Sequence, residues 1–230
     1  PVLLLGFGLP LQVVVATDLL FATLTKIAAG AVHQRSGSVD WEIVRLLWVG
    51  SLPATLAVVL LVRAGFAFDH GEAITVLLGI LVFASGCAML LGGRLQQMQT
   101  ARRLASPVDF KRYQRELTWG AGFGLGSLVT LTSVGAGALG VVILRALYPL
   151  RMTPARLVAT DTVHAIPVTL LGGLSLLLMG FTDLDLLGSL LLGSIPAALA
   201  GGWLANRVPS TALRAVLGVA LIGAGVRLAI

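Results

Sequence analysis

Residues 73–93 and 186–206 are each 21 residues long and contain no Asp, Glu, Lys or Arg. About 20 such residues, wound as a helix that rises 1.5 Å per residue, cross the hydrocarbon core of a bilayer. A chain with stretches of this kind folds in lipid, where every backbone N–H and C=O must find its partner inside the protein. Barrel strands do not fit, because the apolar runs are too long and do not alternate. The rest of the chain agrees: 57% of it is hydrophobic and 11% charged, against about 25% charged in a soluble domain. The formal net charge of +6 is therefore no sign of a nucleic-acid partner. It reflects arginines in the polar stretches, where Lys and Arg set topology. Cys87 is the only cysteine, so neither an intrachain disulfide nor a cysteine metal site can form. Trp41 and Trp119 open apolar segments next to polar ones, where interfacial aromatics are expected.

The chain repeats itself at an offset of 143 residues. Val15-Ala16-Thr17-Asp18 recurs as Val158-Ala159-Thr160-Asp161, and the register then holds without a gap. Gly30 meets Gly173, Gly37 meets Gly180 and Asp40 meets Asp183. Gly50-Ser51-Leu52-Pro53-Ala54 meets Gly193-Ser194-Ile195-Pro196-Ala197, and 15 of 43 positions are identical between 15–57 and 158–200. Each copy sets a carboxylate inside an apolar helix. A carboxylate in lipid costs roughly 2.5 kcal/mol or more and is seldom kept without a use. An internal repeat that keeps one at the matching point of each half reads as a transporter. The plainer alternative is close helix packing by small residues, with the acids paired structurally.

The pattern predicts helices at about 10–33, 41–63, 72–93, 155–180, 185–205 and 209–229. Three regions follow: repeat 1 over 1–93, a basic connector over 94–118 and repeat 2 over 119–230. The connector holds Arg94, Arg102, Arg103, Lys111, Arg112 and Arg115 against Asp109 and Glu116, which places it in the cytoplasm. Counting outward from it, helix 10–33 runs from outside to inside and helix 155–180 the other way, so the repeats are inverted. Segment 119–148 then has basic residues at both ends, and a re-entrant hairpin is the simplest solution. Its glycines, from Gly120 to Gly140, suit a backbone that breaks and packs closely. A single long tilted crossing is the competing picture. The chain opens at Pro1 in mid-hydrophobic run with no visible signal peptide, and Pro1 pairs with Leu144 in the repeat register. On the repeat spacing, about 20 to 25 further N-terminal residues are expected, which leaves repeat 1 truncated. The fold class is thus an all-α polytopic membrane protein. It consists of two inverted-topology repeats, each a Gly-rich re-entrant or broken segment plus three transmembrane helices.

Four intramembrane groups carry the chemistry. Asp18 and Asp161 are mates in the repeat. Lys26 lies about 12 Å along the helix from Asp18, and His164 follows Asp161 by one helical turn, near enough to share a hydrogen bond. These pairings lower the cost of burying charge. One or both acids would exchange protons or gate, with His164 tuning or relaying. The second element is Thr132-Ser133-Val134-Gly135-Ala136-Gly137. If the hairpin turns here, a half-helix begins at about Ser133 and aims its N–H groups and positive dipole end at the middle of the membrane. Gly135 and Gly137 would let an anion approach the backbone, and Thr132 and Ser133 would offer hydroxyls.

These residues, in this order, resemble the TauE/SafE sulfite exporter family. Its repeats combine a Gly-rich segment, here Ser133-Val134-Gly135-Ala136-Gly137, with a small-Thr-polar motif, here Ala16-Thr17-Asp18 and Ala159-Thr160-Asp161. Val39-Asp40-Trp41 and Thr182-Asp183-Leu184 follow, then the Gly-Ser-x-Pro-Ala helices. Here other residues interrupt the family's run of three glycines, and Asp replaces the Ser that often follows the Thr. The resemblance implies passage of sulfite, thiosulfate or an organosulfonate across a bacterial inner membrane. Thr17, Thr160, Lys26, Thr132, Ser133, Gly135 and Gly137 would contact the anion, while Asp18, Asp161 and His164 would couple protons or gate. No cofactor, metal site or nucleic-acid partner is expected. The partners are the anion and the lipid bilayer, and a homodimer is compatible with the layout. Two rival classes are a cation or metal-ion carrier with the acids as ligands, and an intramembrane enzyme pairing Ser127 or Ser133 with His164. Lys26 in the same helix as Asp18 weighs against the first, and the repeat goes unexplained by the second.

Overall fold

The computed structural model describes residues 2–65, 73–87, 90, 107–134, 137–149, 151–205 and 210–229. Among these the regular structure is helical: α1 (Val2–Phe7), α2 (Leu11–Arg35), α3 (Trp41–Arg63), α4 (Ala73–Cys87), α5 (Pro107–Thr132), α6 (Ala138–Leu147), α7 (Pro154–Leu178), α8 (Leu184–Ala205) and α9 (Ser210–Ala229). Helices α2, α3 and α7 are long and apolar enough to cross a membrane. Large apolar side chains such as Leu56, Leu60 and Phe123 face outward from the bundle, as lipid contact requires.

Local chemistry sets the helix starts. Asp40 caps α3 by accepting from the Ile43 amide at 3.4 Å, and its repeat mate Asp183 caps α8 through the Leu186 amide at 2.9 Å. Thr153 caps α7, with Pro154 at the first helical position, where its missing N–H costs nothing. Expected and observed bounds agree closely for α2, α3, α7, α8 and α9. The expected helix 72–93 is described over 73–87 and at 90.

Repeat mates pack against each other. In α2 and α7, Gly30 lies against Val163, Thr23 donates to the Thr169 hydroxyl at 2.9 Å, and Gly173 lies against Leu20. Partners descend in α7 as they ascend in α2, so the two helices run antiparallel. The contacts are also reciprocal. Val163 is the repeat mate of Leu20 and Gly173 that of Gly30. The mates α4 and α9 behave alike, with Gly225 against Phe83 and Gly218 against Leu90. Helix α3, by contrast, runs parallel to α5. Leu47 meets Gly122, Ser51 meets Gly126 and the Thr130 hydroxyl donates to Thr55 at 3.2 Å. A Cβ at Gly50, Gly122 or Gly126 would collide with backbone of the facing helix, so this crossing needs small residues on both sides.

Over the segment expected to be a re-entrant hairpin, α5 and α6 fold back on each other, with three differences from the expected bounds. Helix α5 starts at Pro107, so residues 107–118, assigned to the connector, belong to its ascending arm. Trp119 therefore sits within α5 rather than at a helix start, and residues 94–106 lie outside the described residues apart from their sequence. The glycines at 120–126 do not break the chain, which stays helical to Thr132. The break falls between Ser133 and Gly137. Helix α6 then returns along α5, bringing the Leu147 carbonyl to Gln114 Nε2 at 2.6 Å and the Tyr148 hydroxyl to Thr118 at 2.7 Å. The returning half-helix begins at Ala138, five residues after the expected start at about Ser133.

Candidate functional site

The hairpin tip is where the repeat acids and the broken helix meet. Helix α5 ends in a left-handed cap: Ser133 has φ +59°, and its amide donates to the Val129 carbonyl at 2.7 Å. The left-handed region is uncommon for a residue other than glycine. Here it turns the Ser133 hydroxyl toward α2, where it donates to Asp18 Oδ2. Thr132 serves the turn itself, donating to the Leu128 carbonyl at 2.6 Å and accepting from the Val134 amide at 3.2 Å. Gly137 caps α6 with φ +130°, a conformation L side chains rarely adopt, and it supplies no side-chain cap. Among the described residues no side chain caps the first turn of α6.

Asp161 stands beside that first turn. It is 2% exposed, and its carboxylate fills the space that a side chain at Gly140 would need. The protein's own carboxylate thus stands beside Gly140, the third residue of α6, within reach of the field of that helix start. The two acids meet opposite ends of the break: Asp18 at Ser133, Asp161 at Gly140. Centring the α2–α7 contacts near Thr25 and Val168 puts Asp18 and Asp161 about seven residues to either side. At 1.5 Å per residue that separates them by roughly 20 Å along the helices. Lys26 is half-buried at an intermediate depth, and its charge reaches both acids and His164. Among the described residues it forms no ion pair.

His164 corrects one expectation. Its Nε2 bonds to Ser51 Oγ of α3 at 3.0 Å rather than to Asp161, and the Trp48 indole N–H donates to its carbonyl at 3.0 Å. Neither of the expected structural pairs, Asp18 with Lys26 or Asp161 with His164, forms. The Ser–His pair of the enzyme alternative is also redirected, since Ser133 serves Asp18. Thr160 is fully buried, and its hydroxyl accepts from the Asp40 amide at 3.1 Å. Its mate Thr17 is equally buried, yet among the described residues its hydroxyl has no partner. Gly135 lies outside the described residues.

Residues that sequence reasoning passed over complete the surroundings. Ser51 was visible only as part of a repeated motif. Gly140 was one glycine among several. Arg151 clamps Asp40 at 2.8 Å and Glu42 at 2.6 Å, joining the foot of the hairpin to the start of α3. Hydrogen bonds to Glu42 and the charge of Asp40 hold the Arg151 guanidinium above its ordinary pKa, so the clamp stays charged.

An apolar helical bundle that keeps one buried and one partly buried carboxylate at the two ends of a break has the layout of a membrane transporter. Comparison with known proteins carries this to a family. The chain belongs to the sulfite exporter TauE/SafE family, whose model matches residues 1–228. It is similar to the "Probable membrane transporter protein YjnA" of Bacillus subtilis (strain 168). The two are 29% identical over 229 residues, which is 98% of this chain and 88% of that protein. No solved structure matches it.

Proposed function

We propose that this transporter moves a small sulfur oxyanion or sulfonate across the bacterial inner membrane, coupled to protons. The observation that carries the reading is the placement of the Asp161 carboxylate against the first turn of α6. A substrate anion arriving at the start of α6 competes with the ionised carboxylate beside Gly140 for the same space and field. Protonating Asp161 removes the competitor, so the anion enters with a proton and leaves when the proton leaves. Lys26 supplies positive charge at intermediate depth. Ser133, Thr132, Gly135, Gly137 and the buried hydroxyls Thr17 and Thr160 line the path, and His164, steadied by Ser51, positions α7 or relays the proton.

The antiparallel mates support an inverted pair of repeats, 1–93 and 119–230. The hairpin whose foot returns beside Thr118 supports a re-entrant segment. His33, Arg35, Arg45, Arg145 and Arg156 gather at the end where α3 and α7 begin, which supports a cytoplasmic assignment for that end. Asp18 then lies toward the outer side and Asp161 toward the inner side. Each acid guards one half of the path. The cation-carrier alternative gains little here. Among the described residues no group of three His, Cys, Asp or Glu could hold a metal ion, and the two acids stand too far apart to share one.

The test is flux of sulfite, thiosulfate and a sulfonate into proteoliposomes of the complete protein, with and without an imposed pH gradient. Saturable, gradient-dependent movement of one anion is the expected result. Flux that ignores all three anions and follows a sodium or metal gradient would replace this reading with the cation carrier.

A further inference from the structure

A second feature lies at the other end of α6. At the foot of the hairpin a cleft of about 610 Å³ is lined by Glu42, Arg45, Gln114, Arg115, Tyr148 and Arg151. Its acids are already used. Arg151 binds Glu42 at 2.6 Å, and it also binds Asp40, which stands behind the cleft, at 2.8 Å. The neutral polar groups are used as well: Gln114 donates to the Leu147 carbonyl, and Tyr148 bonds to Thr118. Among the described residues two guanidinium groups of the cleft, Arg45 and Arg115, are in no ion pair. Arg115 stands over the Trp119 ring with Cζ 5.1 Å from its centroid. That contact orients the fork without neutralising it. Arg45 is exposed, and among the described residues it is in no ion pair. The foot of α6 would ordinarily repel an anion through its C-terminal carbonyls. Here two of them, and the Tyr148 carbonyl just beyond, are covered. The Leu144 carbonyl accepts from the Tyr148 amide, the Leu147 carbonyl from Gln114, and the Tyr148 carbonyl from the Arg151 and Met152 amides.

We infer that this cleft is a second anion-binding site, in which Arg45 and Arg115 grip a small oxyanion of the sulfate, sulfonate or phosphate type. Guanidinium forks match the spacing of two terminal oxygens. A cleft with low-dielectric walls focuses their field and concentrates such an anion at its mouth. The site is distinct from the hairpin tip, since the full length of α6 separates the two. Its ligand comes either from solution or from the headgroup of an acidic lipid, and the chemistry is the same for both.

The site is tested at equilibrium, without flux, so the result stands apart from the transport reading. The complete protein is placed in nanodiscs of phosphatidylcholine and titrated calorimetrically with sulfate at low ionic strength. The variants Arg45→Gln and Arg45→Gln/Arg115→Gln are compared with Arg63→Gln, which removes the same charge at the far end of α3. In parallel, native mass spectrometry counts phosphatidylglycerol retained by protein purified from mixed lipid. Saturable sulfate binding that weakens at least tenfold in the double variant, but not in Arg63→Gln, supports the site with a soluble ligand. Retention of phosphatidylglycerol that the double variant loses, without sulfate binding, supports the site with a lipid headgroup as its source. Sulfate binding and lipid retention that are both absent, or both unchanged in a folded double variant, overturn the inference.

Discussion

Asp18 and Asp161 close the same four-residue phrase, on helices related by the repeat, yet they keep different company. Asp18 receives a side-chain hydroxyl from the end of α5, while Asp161 lies against bare backbone at the start of α6. The preceding threonines differ too: Thr160 accepts from the Asp40 amide, whereas the buried Thr17 hydroxyl has no partner among the described residues. A repeated sequence therefore fixes where a carboxylate sits in its own helix and leaves its chemistry to the neighbour. The hairpin is one piece of chain with a C-terminal end and an N-terminal end at its break. It offers one acid a hydroxyl and the other a helix dipole.

The largest expected effect tests the Asp161 side. In Gly140→Ala the new methyl lands on the carboxylate, and overpacking next to a buried charge should cost about 3 kcal/mol. A thermal melt followed by size-exclusion fluorescence should show it, and Asp161→Ala in the same chain should restore much of the loss. An unchanged melting temperature for Gly140→Ala alone would show that the contact is not tight. Next come the acids themselves. Asp161→Asn imitates the protonated form, so anion binding should persist and lose its pH dependence, while pH-driven flux falls at least tenfold, equivalent to about 1.4 kcal/mol. Full pH-driven flux in Asp18→Asn would remove Asp18 from coupling and leave the proton to Asp161. A smaller effect belongs to Ser133. Ser133→Ala removes the donor to Asp18 and should cost about 1–2 kcal/mol, because a buried acceptor is left unmet. Ser133→Gly loses the same bond but relieves the left-handed backbone, and it should melt above the alanine variant. The smallest pair sharpens the threonine contrast. Thr160→Val strands the Asp40 amide and should cost about 1 kcal/mol, whereas Thr17→Val removes an unpartnered hydroxyl and should be neutral or slightly stabilising. Equal effects in both would mean that the two positions are equivalent after all.

How much of this was legible depended on whether a signal was local. Helix α3 was readable to the residue because its cap, Asp40, and its last basic residue, Arg63, both announce themselves in sequence. The start of α5 was not. Lys111, Arg112 and Arg115 look like a solvated linker, and nothing local says that the helix below them continues upward through the same residues. The break at Ser133–Gly137 was visible in its small residues, but its register was five residues early because a left-handed serine has no sequence mark. Partners across helices were the least legible. His164 and Asp161 share a helix face, and only the packing of α3 shows that Ser51 reaches the imidazole first. Likewise the pairing of Asp18 with Ser133, 115 residues apart, needs the fold.

The clamp at the foot of the hairpin has a mechanical meaning. Arg151, Gln114 and the Tyr148–Thr118 bond pin the base of α5 and α6 to each other and to α3. The glycine-lined seam with α3 holds the ascending arm along its length. The ascending arm is therefore fixed from its foot to Thr130, which bonds to Thr55 of α3. Beyond Thr130 the chain is joined to α2 by the Ser133 hydroxyl on Asp18, so that one bond links the end of the fixed arm to the first repeat acid.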